Sequence, residues 1–441
     1  MKKKLTRRQK ILRCNIFLSL CAICLVAVVS LTSCGISKLK GTDKPSGSAP
    51  NTSAEEIYTG DPYIVSSATV VNTGDILIHS PVLTAGYDTE SGKYDFSSFY
   101  RYTKDYFNNA DLAIANLEVT LGGSESGKYS GYPAFNSPDS LIDNLIDSGI
   151  DMLLTSNNHC YDTGLYGLRR TARVLKEKGM PFIGTRESEE EDIYTVKNVD
   201  GINIGMACYT YENVCNTDGR KSINGSIINK DANNLLASFS YNRLDEFYSE
   251  AKTVIEDMKS KGAEAIVFYM HWGEEYQLTQ NGWQEKIAQE LCNLGVDVIV
   301  GGHPHVIQPI ELLTNADGTH KTICLYSMGN SISNQRLAAL YEDCPTGHTE
   351  DGMLFYYTFD KYSDGTVKLS SVDIVPAWVD KKGSGTGAEY ILYPLENENS
   401  YSQFSLTANT AKNSYTRTKN IVASGLTEIQ QYLGCEVRFK Q

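Results

Sequence analysis

Seven residues able to ligate a metal recur in short polar loops of this chain: Asp75, His79, Glu118, Asn158, His271, His303 and His305. The loops read GDILIH (74–79), NLE (116–118), NNHCYD (157–162), HWGEEY (271–276) and GGHPH (301–305), and they hold five of the seven histidines. Carboxylates, an amide oxygen and imidazoles in one set suit Mn, Fe, Zn or Co better than Ca or Mg, which favour oxygen alone. Seven ligands exceed the four of a tetrahedral zinc. Two divalent ions about 3.5 to 4 Å apart, sharing a carboxylate and a water, would use them all and ready that water for in-line attack at phosphorus. His159 stands beside Asn158 in the same loop. Asp162 is either its orienting partner or the N-cap of the helix that follows.

Spacing inside the loops adds detail. His303 and His305 flank Pro304, and in an extended loop residues two apart point the same way. Gly301 and Gly302 before them allow close approach to the backbone. Trp272 and Tyr276 are either core or wall residues or surfaces on which a substrate stacks. Tyr326 and Asn330, in YSMGN, are candidates for the floor of a substrate pocket, and Asn330 equally suits a turn.

These loops need strands to hold them. ATVVN, DLAIAN, DMLLT, AIVFY and VDVIV are short apolar runs that read as buried parallel strands when helices separate them. Ligands at the carboxyl ends of such strands are how open α/β sheets build sites. The spacing predicts helices over 96–109, from Ser137 as N-cap with Pro138 at the first position, and over 165–178, 244–261, 283–294 and 418–433. Asp200-Gly201 and Ser363-Asp364-Gly365 read as hairpin turns, so antiparallel strands join the parallel ones. Two packed sheets flanked by helices follow.

The start of the chain has a different character. MKKKLTRRQKILR carries seven positive charges, and 14–37 carries none, the pattern of an export signal. It closes on Leu31-Thr32-Ser33-Cys34-Gly35, which resembles a lipobox with Cys34 as the lipidated residue; the alternative is an uncleaved membrane anchor. The organisation expected is a lipoprotein-type signal over 1–33, a flexible Ser/Gly/Thr/Pro/Lys-rich stalk over 34–61, a folded domain over 62–380 and an extension over 381–441. Without the seven charges of the signal, 33 basic residues face 53 acidic ones, a balance of −20 that excludes nucleic acid as a partner. Of 11 cysteines, the seven beyond Cys34 are irregularly spaced and odd in number. They read as buried small hydrophobes rather than a disulfide framework, and Cys208 and Cys215 could pair if the chain is exported.

Taken in order, GD, NLE, NNH, HWG, GHPH and YSMGN resemble the CapA-like family of capsule or poly-γ-glutamate synthesis proteins, a branch of the calcineurin-like metallophosphoesterases. The resemblance covers about residues 64–378. It implies a four-layer α/β/β/α sandwich and attachment to the cell envelope. It also implies Asp75 as the first-strand metal aspartate, Glu118 as the bridging carboxylate, Asn158 as the metal asparagine, His159 as the catalytic histidine, and His271, His303 and His305 as the closing ligands. The chain departs from the general phosphoesterase pattern where Leu77 stands in place of the histidine of DxH, leaving His79 as the substitute, and where Glu118 replaces the aspartate of GDxxD. Two functions are expected from this reading: a membrane-tethered, extracytoplasmic metal-dependent hydrolase acting on an anionic envelope polymer, or a non-catalytic component that binds the polymer or its synthase complex.

Overall fold

The computed structural model describes residues 61–439, apart from 214–217, 398, 405 and 407. The export signal, Cys34 and the stalk through residue 60 lie outside the described residues, as does Cys215. No helix among the described residues is long and apolar enough to cross a membrane.

The body from Ile64 onward is mixed α/β. Its strands are β1 (Ile64–Ile76), β2 (Leu112–Leu117), β3 (Met152–Leu154), β4 (Phe182–Ile183), β5 (Tyr194–Val199), β6 (Ile202–Glu212), β7 (Ser238–Ser240), β8 (Ala265–His271), β9 (Val298–Gly302), β10 (Ile310–Thr314), β11 (Lys321–Leu325), β12 (Asn330–Ile332), β13 (Asp351–Tyr362), β14 (Val367–Lys382) and β15 (Glu389–Pro394). Two short hairpins, at 87–94 and 222–227, lie apart from them. The helices are α1 (Ser80–Gly86), α2 (Lys104–Asn108), α3 (Ser140–Asp147), α4 (Gly164–Glu177), α5 (Leu244–Ser260), α6 (Gly282–Asn293) and α7 (Ala408–Leu433). One sheet runs β15-β14-β13-β1-β2-β3-β4, with β12 also on β1; the other runs β7-β6-β8-β9-β11-β10, with β5 on β6.

Strand alternation explains the core. Val70 and Ile114 of the first sheet share one apolar cluster with Met206, Val267 and Val300 of the second. Their neighbours Val71 and Ala113 turn to the opposite face and pack with Leu141, Ile142 and Leu145 of α3 and Leu175 of α4. In the second sheet Phe268 and Met270 likewise turn outward, onto Phe247 of α5 and Ile287 and Leu291 of α6. The runs predicted as buried strands are therefore largely apolar on both faces because both faces are covered.

Parallel pairing holds for β1 with β2, β2 with β3, β6 with β8 and β8 with β9. The Asp200-Gly201 turn joins antiparallel β5 and β6 with both residues at positive φ, 45° and 92°.

Three local expectations differ from the structure. Only Lys104–Asn108 of 96–109 is α-helical, because Phe96, Phe99 and Tyr100 are buried in the first sheet's outer cluster and the chain turns to seat them. The helix after Ser137 starts at Ser140, since the Ser137 N–H is already donated to Thr120 O at 2.8 Å. The last helix starts at Ala408 rather than Thr418, and its Val422, Leu426 and Ile429 enter the cluster shared by the two sheets.

Candidate metal centre

Asp75 and Glu118 come from adjacent parallel strands. In register, Asp75 faces Asn116 of β2 on one side and Asn330 of β12 on the other. Gly74 makes that crowding possible, because a Cβ there would stand 1.9 Å from Gly329 O, the carbonyl that accepts the Asp75 N–H. His271 ends β8 opposite Gly302 of β9, so the HPH turn leaves the sheet beside it. A Cβ on Gly302 would lie 2.9 Å from Asp75 Oδ1, so this glycine admits the first sheet's carboxylate to the second sheet's backbone.

The side chains converge. Asp75 Oδ2 lies 3.2 Å from His305 Nδ1 and accepts the His303 N–H at 3.2 Å, while Asp75 Oδ1 accepts from Asn116 Nδ2 at 2.8 Å. Glu118 Oε1 is 3.3 Å from His271 Nε2 and 3.8 Å from His305 Nε2. Asn158 Oδ1 is 2.7 Å from His271 Nε2. The His303 ring stacks between His271, at 4.9 Å, and Tyr211, at 4.8 Å. The HPH segment is not extended as expected: His303 and His305 both have positive φ, 96° and 56°. The turn still brings both rings to the carboxylates, at the cost of two strained non-glycine residues.

Among the described residues, carboxylate and imidazole atoms close enough to hold an ion form three groups: Glu118, His271 and His303; Asp75, Glu118 and His305; Glu275, His303 and His305. The electrostatics fit a cation. Burial pushes the Glu118 carboxyl well above its ordinary value, and the charges of Asp75, Glu275 and Asp162 add to this. Burial also raises Asp75, but the hydrogen bond and charge of His305, the charge of His271 and the Asn116 amide outweigh it and leave that carboxyl lowered. Burial pushes His271 down to about 3 and His303 well below the usual range, so both imidazoles are neutral, the form that ligates metal. Glu118 Oε1 and His303 Nδ1 are buried without a hydrogen-bond partner. Buried polar atoms of this kind need an explanation. A divalent ion between mixed nitrogen and oxygen donors supplies one.

His159 lies beside this set and in none of the three groups. Its Nδ1 is 2.7 Å from Asp162 Oδ2, and the same oxygen accepts the Phe135 N–H at 2.7 Å. Asp162 makes no N-cap bond to α4, whose N-cap is Thr163, so of its two expected roles the structure displays the histidine contact. The Phe135 ring stands edge-on to both His159, at 4.6 Å, and His79, at 5.2 Å. His79 is half-buried, outside the three groups, and its Nδ1 accepts the Asn334 N–H at 3.3 Å. Burial lowers it to about 4, with the charge of His305 adding to the effect.

The pocket candidates fall into two pairs. Trp272 and Tyr326 are fully buried in the outer cluster of the second sheet, where Trp272 Nε1 donates to Tyr326 O at 2.9 Å; they are core residues. Tyr276 and Asn330 stay at the site. The Tyr276 ring is 6.5 Å from His305, and Asn330 Nδ2 donates to His305 O at 3.3 Å. Three contributors escaped the sequence reading. Asn116 was hidden in NLE behind the more conspicuous Glu118, and Asn157 behind Asn158, yet Asn157 Nδ2 donates to Asn116 Oδ1 at 3.1 Å and orients the amide that holds Asp75. Glu275 was one of two acids in HWGEEY with nothing to mark it out. Of the six described cysteines, all free, five are buried, and Cys208 points to Ser156 O at 3.6 Å.

The profile of the family described as "Bacterial capsule synthesis protein PGA_cap" matches residues 69–335, which includes every candidate ligand. The capsule biosynthesis protein CapA of Bacillus anthracis is 26% identical over 247 residues, covering 55% of this chain and 55% of that protein. The PGA biosynthesis protein CapA of Bacillus subtilis (strain 168) is 24% identical over 290 residues, 64% of this chain and 68% of that one. The chain thus spans little more than half of the first relative's length. With the profile match extending over more than half of its residues, the chain belongs to the bacterial capsule synthesis protein family.

Proposed function

We propose that this protein is a membrane-tethered, extracytoplasmic component of capsule or poly-γ-glutamate synthesis, and that its buried centre serves a metal-dependent hydrolase of phosphoesterase type. The observation that carries the reading is the pairing of two unlike sets. Asp75, Glu118, His271, His303 and His305 converge, and a His159–Asp162 pair stands next to them without joining any ligand group. One or two Mn, Zn or Fe ions would be held by those five residues with Asn158. What a bound divalent ion supplies is Lewis acidity and the activation of water.

The chain's own residues do the rest. Asp162 accepts from His159 Nδ1 and steadies the ring when both nitrogens carry a proton, so that the proton on the far nitrogen can pass to a leaving group and leave the ring neutral. Phe135 fixes the plane of that ring. Two sheets sharing one cluster, with helices on their outer faces, support reading the fold as the four-layer α/β/β/α sandwich. The charged, then apolar, leader with Cys34 supports the tether.

A second reading, a non-catalytic polymer- or synthase-binding component, is favoured by Asn116. Its amide already donates to Asp75 and lies 3.4 Å from Glu118 Oε2, occupying carboxylate capacity that metal would otherwise use. The experiment is metal analysis of the purified protein with turnover on phosphodiesters, phosphomonoesters and poly-γ-glutamate. His159→Ala should keep its metal and lose roughly 10²–10⁴-fold in turnover. Metal-loaded wild type that is inert on all three decides for the second reading. For the tether, Cys34→Ala should abolish lipid labelling, and labelling that persists refutes it.

A further inference from the structure

The three ligand groups overlap unequally. Glu118–His271–His303 and Asp75–Glu118–His305 have only Glu118 in common, so both can be filled together around a shared carboxylate. Glu275–His303–His305 takes one histidine from each, so it cannot be filled while both of the others are. Its carboxylate is also the exposed one; every other member of the three groups is buried.

We propose that Glu275, His303 and His305 form an outer receiving site, where a divalent cation is captured before it passes inward to Asp75, Glu118 and His271. Glu275 on this view is an entry ligand and not a resident one. The inference rests on the metal-centre reading above.

The loop that carries Glu275 is fastened for this role. Tyr276, at φ 65°, donates its N–H to Pro304 O at 2.8 Å, between the two histidines. Its hydroxyl accepts from Gln335 Nε2 at 3.3 Å. Gln335 Oε1 in turn accepts from Asn330 Nδ2 at 2.9 Å, the amide that also donates to His305 O. Glu275 is thereby tied to the HPH turn through both the backbone and a side-chain relay. His303, only 4% exposed, keeps its Nδ1 unpartnered. A cation entering a dry site must shed its waters. An outer set of one exposed carboxylate and two imidazoles lets it exchange them in stages, and the carboxylate's charge raises the capture rate.

The test uses the full chain, purified in detergent and stripped of metal, mixed rapidly with Co²⁺ while the visible absorption of the bound ion is followed. Glu275→Gln should slow the rise about tenfold or more and leave its final amplitude and stoichiometry unchanged. Glu274→Gln, the exposed neighbour outside all three groups, should load at the wild-type rate. The proposal is overturned if Glu275→Gln loads as fast as wild type, or if it loses final amplitude, which makes Glu275 a resident ligand. It is equally overturned if Glu274→Gln slows loading as much, which makes the effect one of general charge. Wild type that takes up no Co²⁺ overturns the metal-centre reading itself, a failure distinct from the others.

Discussion

Asp351 and Glu118 are both fully buried carboxylates, and the fold treats them differently. Asp351, at the start of β13, is held by Arg417 of α7 through two contacts of 2.6 Å, Nε to Oδ2 and Nη2 to Oδ1. Burial still pushes Asp351 up to about 6, with Arg417 working against it. Glu118 has no such partner: among the described residues neither it nor Asp75 forms an ion pair with Lys or Arg, and histidines are the only basic side chains that each meets. Where a carboxylate is buried to pin a helix, the chain brings its own cation. Where two are buried at the ends of β1 and β2, it brings imidazoles and an amide and leaves the positive charge to come from outside.

Breaking the self-sufficient pair should have the largest effect. Arg417→Leu leaves Asp351 buried and unpaired, and we expect a loss of about 3–5 kcal/mol in urea unfolding. A loss below ~1 kcal/mol would mean that the contrast with Glu118 is one of geometry alone. Next comes the cation supplied from outside. Mn²⁺ or Zn²⁺ at about a hundred times its Kd should stabilise wild type by ~2.7 kcal/mol, and a chelator should reverse this. In Glu118→Gln, which lacks the ligand shared by two groups, the gain should vanish; an equal gain in both proteins removes Glu118 from the centre.

Acidity separates the two sites further. Both folded-state values are raised above the unfolded ones, so each carboxylate favours the folded state below its unfolded value and loses that contribution as pH rises through the folded value. For Asp351 the decline runs from 3.8 to about 6 and then stops. Glu118, raised well above 4.5, adds its own decline from that value upward. The metal-free protein should therefore lose stability as pH rises above 4.5, by up to about 1.4 kcal/mol per pH unit for each carboxylate, and Glu118→Gln should remove one share of that decline. Denaturation followed from pH 4 to pH 8 measures it, and identical curves in the two proteins would assign the decline elsewhere. The smallest effect is expected at His79, whose Nδ1 is engaged by Asn334. His79→Ala should weaken metal binding by about threefold at most, a few tenths of a kcal/mol. A tenfold loss in a binding titration would bring it into the ligand set.

What could be read from the chain beforehand follows a physical division. Apolar runs such as AIVFY and VDVIV announced their strands because both faces are covered, and the polar residues at their ends marked the site. Backbone conformation was not legible: HPH suggests an extended segment, and only tertiary packing against Tyr276 and Asn330 holds two histidines at positive φ. Motif proximity misled for Tyr326, whose backbone borders the site while its ring serves the outer core, whereas Trp272 takes the core position that was one of its two expected roles. Amides were hard to see, since Asn116 and Asn157 act through hydrogen bonds that no spacing rule reveals. The Ser-, Thr- and Asn-rich composition after residue 381 concealed Arg417, although α7 answers one of the two buried charges.

Gly74 and Gly302 carry no chemistry, yet each lies where the two sheets' contributions touch. A methyl group at Gly74 would force apart β1 and the Gly329–Asn330 backbone, and Asn330 is what holds the His305 carbonyl. A methyl group at Gly302 would press on Asp75. Gly74→Ala or Gly302→Ala, each a single-codon change, would therefore extinguish the centre while every ligand stays in the sequence. A census of natural relatives that counts metal centres by intact ligands alone would include such silent losses, and the two glycines belong in it beside the histidines.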